Sequence, residues 1–391
     1  MSVREFVDAI AKGELVEDEL LVDRKTGLVR QAGTVDGGDS KFILKFREAA
    51  ERSLYVFAKA VLGLDRLTHH LHLPVCQLLT RIPPYRKLVL LPRDHLKSSI
   101  VAKALPIHIL IQPKENNIYI PKLDGASTRI LLSNETATNA EHFLRWIMAK
   151  FETNKLLRAL WPHRCWNNPR RESKKWQEKE MMIPRDEDFP EASIETIGVG
   201  GAITSRHYNV LIKDDLISIE AANSPVVMQT AVEWHKASRA LMDDPDKSLE
   251  FIIGTRWAVY DLYEYIEQED PSVEVYKRAG VEDGVSIWPE MFSLETHARL
   301  RKEFGTLYPL LYLNNATDPA LTDFDLEEIR IFNVEGDKIT FEETEQDLLL
   351  HKEQNTPAQS PDLPRGTVLT RDTWGQMMGR GKQEYLRLKY G

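Results

Sequence analysis

Lys97 and Ser98 follow the short apolar run Lys87-Leu-Val-Leu-Leu91 across the loop Pro92-Arg93-Asp94-His95-Leu96. A strand, a tight loop, a Lys-Ser pair and then a helix make up the mechanical plan of a phosphate-binding loop. Backbone N–H groups at the helix start face an anion, Lys97 neutralises β- and γ-phosphates, and Ser98 offers a hydroxyl to Mg2+. On this reading Arg93, Asp94, His95, Leu96, Lys97, Ser98 and Ser99 bind the nucleotide, with ATP and Mg2+ as ligands. The loop contains no glycine, so the G-x-x-x-x-G-K-[ST] pattern is not met. An ordinary strand-to-helix turn would carry the same residues.

A second segment, Val210-Leu-Ile-Lys-Asp214-Asp215, is an apolar run that ends in paired acids. At the carboxyl end of a strand, Asp214 would join Ser98 in the Mg2+ shell and Asp215 would polarise the attacking water. Adjacent side chains on an extended chain point to opposite faces, which divides the two roles. A solvated Asp-Asp turn is the alternative. In the third segment, Phe251-Ile-Ile-Gly254-Thr255-Arg256, a strand ends at a hydroxyl placed to sense the γ-phosphate, unless it is a plain strand end. Gln77 would read an adenine edge through its amide, with His72 stacking nearby. Two polar residues on a partly exposed helix are the competing description.

Strands and helices alternate around these segments. Strands are predicted at 87–91, 117–120, 129–132, 208–212 and 250–253, and helices at 97–110 and 139–150. Apolar spacing from Phe42 to Leu64 is helical, and a further helix over 74–80 is stopped by Pro83-Pro84. This alternation predicts an α/β fold whose mainly parallel sheet is covered on both faces, with an N-terminal helical subdomain. Beyond Trp288 the pattern changes to a helix over 293–304, a hairpin around Glu335-Gly336-Asp337, a Pro/Gln/Asn/Ser-rich linker over 353–366 and a basic end. Residues 1–40 are polar and read as a loosely attached arm.

Composition narrows the class without choosing a function. Apolar residues make up 42% of the 391 and charged residues 28%, as in ordinary globular chains. No apolar run is long enough to cross a bilayer, and Met1–Gly13 lacks a signal-peptide core. Only Cys76 and Cys165 are present, which argues for a reducing cytoplasm and against a disulfide framework or Cys-rich zinc site. The net charge of −9 speaks against a chain that coats nucleic acid all over, while leaving room for a local basic groove. One such candidate is the basic and aromatic stretch Arg164–Trp176; the basic end, with Arg380, Lys382, Arg387 and Lys389, is another. A solvated hairpin edge and a soluble tail are the plainer readings of these two.

As an ordered set, these segments resemble the ATPase domain of the large terminase subunit of tailed bacteriophages. Arg93-x-x-x-Lys97-Ser98 is similar to that family's deviant phosphate loop, and Gly254-Thr-Arg-Trp257 followed by Asp261-Leu262 to its coupling motif. Gly200-Gly201…Arg206 before the Asp214-Asp215 strand resembles the approach to its metal acid. Ser53–Gly63 and His72–Cys76 resemble the segment leading to its adenine region, and Trp288-Pro-Glu290 and Tyr312–Asn315 its closing segments. The likeness spans roughly 53–324. Asp94 departs from it where small residues are usual, and Asp215 where many relatives carry glutamate.

The resemblance implies an additional-strand P-loop (RecA-like) ATPase over 53–324, preceded by an arm and the start of a helical subdomain (1–52). Residues 325–391 would hold a hairpin, linker and basic tail. It implies a motor that drives double-stranded DNA into a procapsid in the host bacterial cytoplasm. The motor would be docked on the portal as a five-membered homo-oligomeric ring, alongside the small terminase subunit. Arg206 becomes the arginine supplied in trans to a neighbour's γ-phosphate, with Arg129 and Arg256 as competitors and a structural salt bridge as the alternative. The family's metal-clustering nuclease acids are not seen after Phe324; Asp372 is a lone candidate, and no nuclease activity is expected. Two rivals predict other behaviour: a helicase-like translocase would unwind DNA without a portal, and a nucleotide-gated assembly protein would bind ATP without turnover.

Overall fold

The computed structural model describes residues 38–202 and 206–315, with the short strands Leu20–Val22, Val29–Gln31, Phe332–Glu335 and Lys338–Phe341. The polar arm before residue 20, the 353–366 linker, Asp372 and the basic end lie outside the described residues. The chain divides into two units, Met1–Leu321 and Thr322–Gly391. In the second, Phe332–Glu335 pairs antiparallel with Lys338–Phe341, placing Glu335 opposite Lys338 across Gly336-Asp337. That is the hairpin the turn residues predict.

In the first unit seven strands form one sheet: β1 (Arg86–Leu90), β2 (Ile130–Asn134), β3 (Glu180–Met181), β4 (Ile194–Gly198), β5 (Val210–Asp214), β6 (Leu249–Gly254) and β7 (Val273–Lys277). Their spatial order is β3-β4-β2-β5-β6-β1-β7. Every pair is parallel except β3–β4. The expectation of a mainly parallel α/β sheet therefore holds. β6 is interposed between β1, which leads to Lys97, and β5, which ends at Asp214.

Both faces of the sheet are covered. Val89, Leu91, Ile212, Phe251 and Ile253 join one core with the helical N-terminal residues and with Ile100 and Leu144. Leu88, Leu90 and Ile252 join another with Trp234, Leu262, Tyr263 and Ile266. The period of two along a strand gives each face its own layer, so β1 and β6 are apolar on both sides.

Three expectations change. Residues 117–120 are not a strand. The Asn117 side-chain oxygen accepts from the N–H of Tyr119 (2.9 Å) and Ile120 (3.0 Å), a local turn that competes with sheet pairing. The strands β3, β4 and β7 were not expected; the middle of β4 is Glu195-Thr196 rather than an apolar run. The helix after the 92–96 loop begins with a π-helical turn, Ser99–Ala104, before helix α1 (Leu105–Leu110).

A candidate nucleotide site at the carboxyl ends of the strands

β1 delivers Lys97 and Ser98 to the carboxyl edge of the sheet, where the ends of β5 and β6 meet them. Lys97 Nζ donates to Thr255 Oγ1 at 2.7 Å, and Ser98 Oγ donates to Asp214 Oδ1 at 2.9 Å. All four come together across more than a hundred residues of chain, and Lys97, Asp214 and Thr255 are buried. The second oxygen of Asp214, Oδ2, is buried and has no partner, as is Asp215 Oδ1. Burial, and then the neighbouring Asp215 carboxylate, push the Asp214 carboxyl up to about 8 against the pull of Lys97 and Ser98.

A hard dication takes oxygen donors and keeps some of its water. The Ser98 hydroxyl and the Asp214 carboxylate, with its orphaned Oδ2, are a donor set that fits Mg2+. Among the described residues no three His, Cys, Asp or Glu side chains gather around a metal position. Phosphate oxygens and water would have to complete the shell, which is how Mg2+ is held at phosphoryl-transfer sites.

The acid pair is not a simple extended dipeptide. β5 ends at Asp214, and Asp215 has φ of +42°. The division of roles therefore does not rest on strand alternation, as the sequence suggested, but on a left-handed turn. That turn is held by Asp215 N–H to the Ile253 carbonyl (3.0 Å), Glu135 N–H to the Asp215 carbonyl (3.1 Å) and the Asn134 amide to the Asp214 carbonyl (2.7 Å). Asn134 and Glu135, at the end of β2, had no role in the sequence reading. Their signal, two polar residues closing an apolar strand, is too common to stand out.

The 92–97 loop solves its missing glycines by strain. Asp94 and Leu96 both take left-handed φ, 64° and 59°, at a cost of roughly 1–2 kcal/mol each for residues with a Cβ. Between them His95 is fully buried, stacked on Phe292 at 4.6 Å and edge-on to Trp288 at 5.5 Å. Its Nδ1 lies 2.8 Å from the Arg93 carbonyl oxygen, and burial lowers its pKa to about 4. Arg93 N–H donates to the Leu311 carbonyl at 2.8 Å. Thus the Trp288 and Tyr312 segments pin the loop from behind, and neither His95 nor its aromatic partners are free to touch a ligand without rearrangement. Arg93 and Asp94 are exposed.

No family model matches the chain, and no curated protein matches it. Among solved structures, the crystal structure of the HK97 bacteriophage large terminase aligns over 60% of this chain and 48% of its own, with 12% identity and a TM-score of 0.38. The chain thus spans about half the length of that protein. A likeness at this level fixes neither fold nor function.

Other expected residues lie apart from this cluster or are already engaged. His72 sits in the helix His69–Thr80, fully buried with its ring edge-on to Trp288 at 5.0 Å. Its Nδ1 accepts from Thr68 N–H at 2.8 Å, and burial lowers its pKa to about 4. Stacking on a base would require that packing to open, so His72 is a core residue here. Gln77, on the same helix, is exposed.

Arg206 stands near the amino ends of β4 and β5, the opposite edge of the sheet from Asp214. It pairs with Glu195 at 2.5 Å and its side chain is 59% exposed. Its two competitors are structural: Arg256 is buried among Asp261 (3.0 Å), Glu264 (2.7 Å) and Glu267 (3.3 Å), and Arg129 pairs with Asp243 at 2.8 Å. In the basic stretch, Arg164 is buried on Asp124 (2.6 Å) and Lys175 pairs with Glu180 (3.0 Å), whereas Arg170 and Arg171 are exposed. Among the described residues no helix is long and apolar enough to cross a membrane.

Proposed function

We propose that the chain is a Mg2+-dependent ATPase whose site is Lys97, Ser98, Asp214, Asp215 and Thr255. The observation that carries this reading is the Ser98–Asp214 pair at 2.9 Å with Asp214 Oδ2 buried and unpartnered, next to Lys97. Lys97 would exchange its Thr255 partner for phosphate oxygens, Ser98 and Asp214 would hold the metal, and Asp215 would orient and deprotonate the attacking water. Bound Mg2+ would neutralise charge on the β- and γ-phosphate oxygens. Thr255, released by Lys97, would report the phosphate state to the 255–261 loop. Gln77 would contact the base.

Lys97→Ala should reduce turnover by at least about 100-fold and weaken Mg-nucleotide binding, since a point charge on the phosphates is lost. Binding of a fluorescent ATP analogue at wild-type affinity in that variant would sink the assignment.

The proposal extends to work on DNA: a motor that moves double-stranded viral DNA through a procapsid portal, partnered by a small terminase subunit. This part is supported by the ordered set of terminase-like segments and by the interposed β6 that joins the Lys97 and Asp214 strands. Arg206 is included as an arginine acting in trans, because its exposed half can face a neighbour. Subunits carrying Arg206→Ala mixed with subunits carrying Asp214→Asn should then recover hydrolysis that neither shows alone. No recovery would leave Arg206 as the partner of Glu195 only.

A further inference from the structure

Resting on that reading of the site, we infer that Tyr263 is a positioning residue, whose hydroxyl sets the turn carrying Asp215 and fixes it against the strand end that carries Thr255. Tyr263 follows the 255–261 loop, in the helix Leu262–Glu269, and is fully buried. Asp261, the N-cap of that helix, accepts from the N–H groups of Tyr263 and Glu264 and also holds Arg256 and the Trp257 N–H. The loop is therefore closed on itself, and it returns the Tyr263 ring onto Gly254. A Cβ at Gly254 would lie 1.9 Å from Tyr263 Cζ and 2.3 Å from its hydroxyl. Only glycine leaves room for the ring.

The hydroxyl then reaches across to the acid turn. It accepts the N–H of Leu216, the residue after Asp215, at 3.2 Å, and lies 3.5 Å from the Ile253 carbonyl, which itself accepts from Asp215 N–H at 3.0 Å. Without it, the Leu216 N–H would be a buried donor beside a residue already held at φ +42°. One phenol on the helix Leu262–Glu269 thus ties the backbone just after Asp215 to the Ile253 carbonyl, the same acceptor that holds the Asp215 N–H. Asp215 Oδ1 has no hydrogen-bond partner, so its aim depends on this backbone turn. Catalytic groups need placement within about half an ångström, and a 1 Å error costs on the order of 100-fold.

The test is Tyr263→Phe, which keeps the ring against Gly254 and removes only the hydroxyl. The expected result is a fall in kcat of about 10- to 100-fold, with KM for ATP and Mg-dependent binding of a fluorescent ATP analogue within about threefold of wild type. A residue that merely supports the fold would instead shift the melting temperature and leave kcat at 25 °C intact. Wild-type kcat in Tyr263→Phe, or equal loss of binding and turnover, would overturn the inference while the wild-type ATPase stood. Absence of turnover in the wild type, with and without DNA, would overturn the ATPase reading and this inference together.

Discussion

Lys213 and Asp214 are neighbours on β5, yet they belong to two buried ionic clusters of opposite character. Lys213 spends all three ammonium protons: on Glu250 at 2.5 Å, on His235 Nδ1 at 3.1 Å and on the His235 carbonyl at 3.1 Å. Glu250 also takes Arg239, at 2.8 Å. Burial alone would push the Glu250 carboxyl up, but Lys213, His235 and Arg239 outweigh it and hold it down at about 2. Asp214 has the reverse fate: one oxygen bonded to Ser98, the other unpartnered, and its carboxyl raised. A buried acid with its cations already in place locks a sheet to a helix. A buried acid that lacks one is shaped for something that arrives later.

The largest expected effect separates the two clusters by function. Asp214→Asn should cut Mg2+-dependent turnover by at least about 100-fold while leaving the nucleotide-free fold no weaker. The raised carboxyl holds its proton more firmly when folded. Its stabilising contribution is complete below the ordinary Asp value and lost as pH climbs toward about 8. The asparagine has no proton to lose, so its advantage should be nil near pH 4 and grow steadily as pH climbs toward 8. Denaturant melts across that range would show it. A variant destabilised at pH 8 would mean that Asp214 is a structural acid like Glu250.

Glu250→Gln should do the opposite. Removing one partner of a buried pair leaves Lys213 uncompensated and costs about 3–5 kcal/mol, while ATP affinity measured well below the melting temperature should not change. A depressed carboxyl contributes stability above its unfolded value, near 4.5, and loses it as pH falls through about 2. The gap between wild type and variant should therefore be full at pH 6 and shrink steadily between pH 4.5 and pH 2. A gap that ignored pH would move the charge on Glu250 out of the explanation.

How much of this contrast was legible follows from where each contact is encoded. Asp214 and Thr255 announce themselves at the ends of apolar runs, and Lys97-Ser98 as a pair that follows another such run across a short loop; residues at the carboxyl ends of parallel strands share one edge of the sheet. The order of strands is only implied by the run of segments, and β4 escaped because Glu195 and Thr196 occupy its middle. Glu195 is tolerated there by Arg206, Tyr208 and Ala192 N–H, partners that only the fold supplies. Tyr263 was invisible for the same reason: its hydroxyl meets Leu216 from 47 residues away. His72 looked available because helical spacing does not say that Trp288 covers it. The Lys213–Glu250 pair was hidden inside what reads as two plain strands.

The smallest expected effect lies at the loop itself, where Asp94 puts a negative charge next to a site proposed for phosphates. Two properties of that residue need separating, its left-handed backbone and its charge. Asn tolerates the left-handed region about as well as Asp, so Asp94→Asn removes the charge and leaves the backbone alone. Asp94→Gly removes both charge and strain, but the strain relieved, about 1 kcal/mol, is largely offset by the added freedom of glycine when unfolded. Both variants should therefore melt within about 1 kcal/mol of wild type, and both should bind ATP about 2- to 5-fold more tightly. That gain corresponds to roughly 0.5–1 kcal/mol of relieved repulsion at an exposed position. It should shrink as salt rises from 0.05 to about 0.5 M, because the Debye length falls below the spacing of the charges. If only the glycine variant tightens binding, flexibility of the loop rather than its charge limits the site. If neither does, the exposed Asp94 carboxylate points away from the anion, and the phosphates sit nearer Ser98 and Asp214 than this loop suggests.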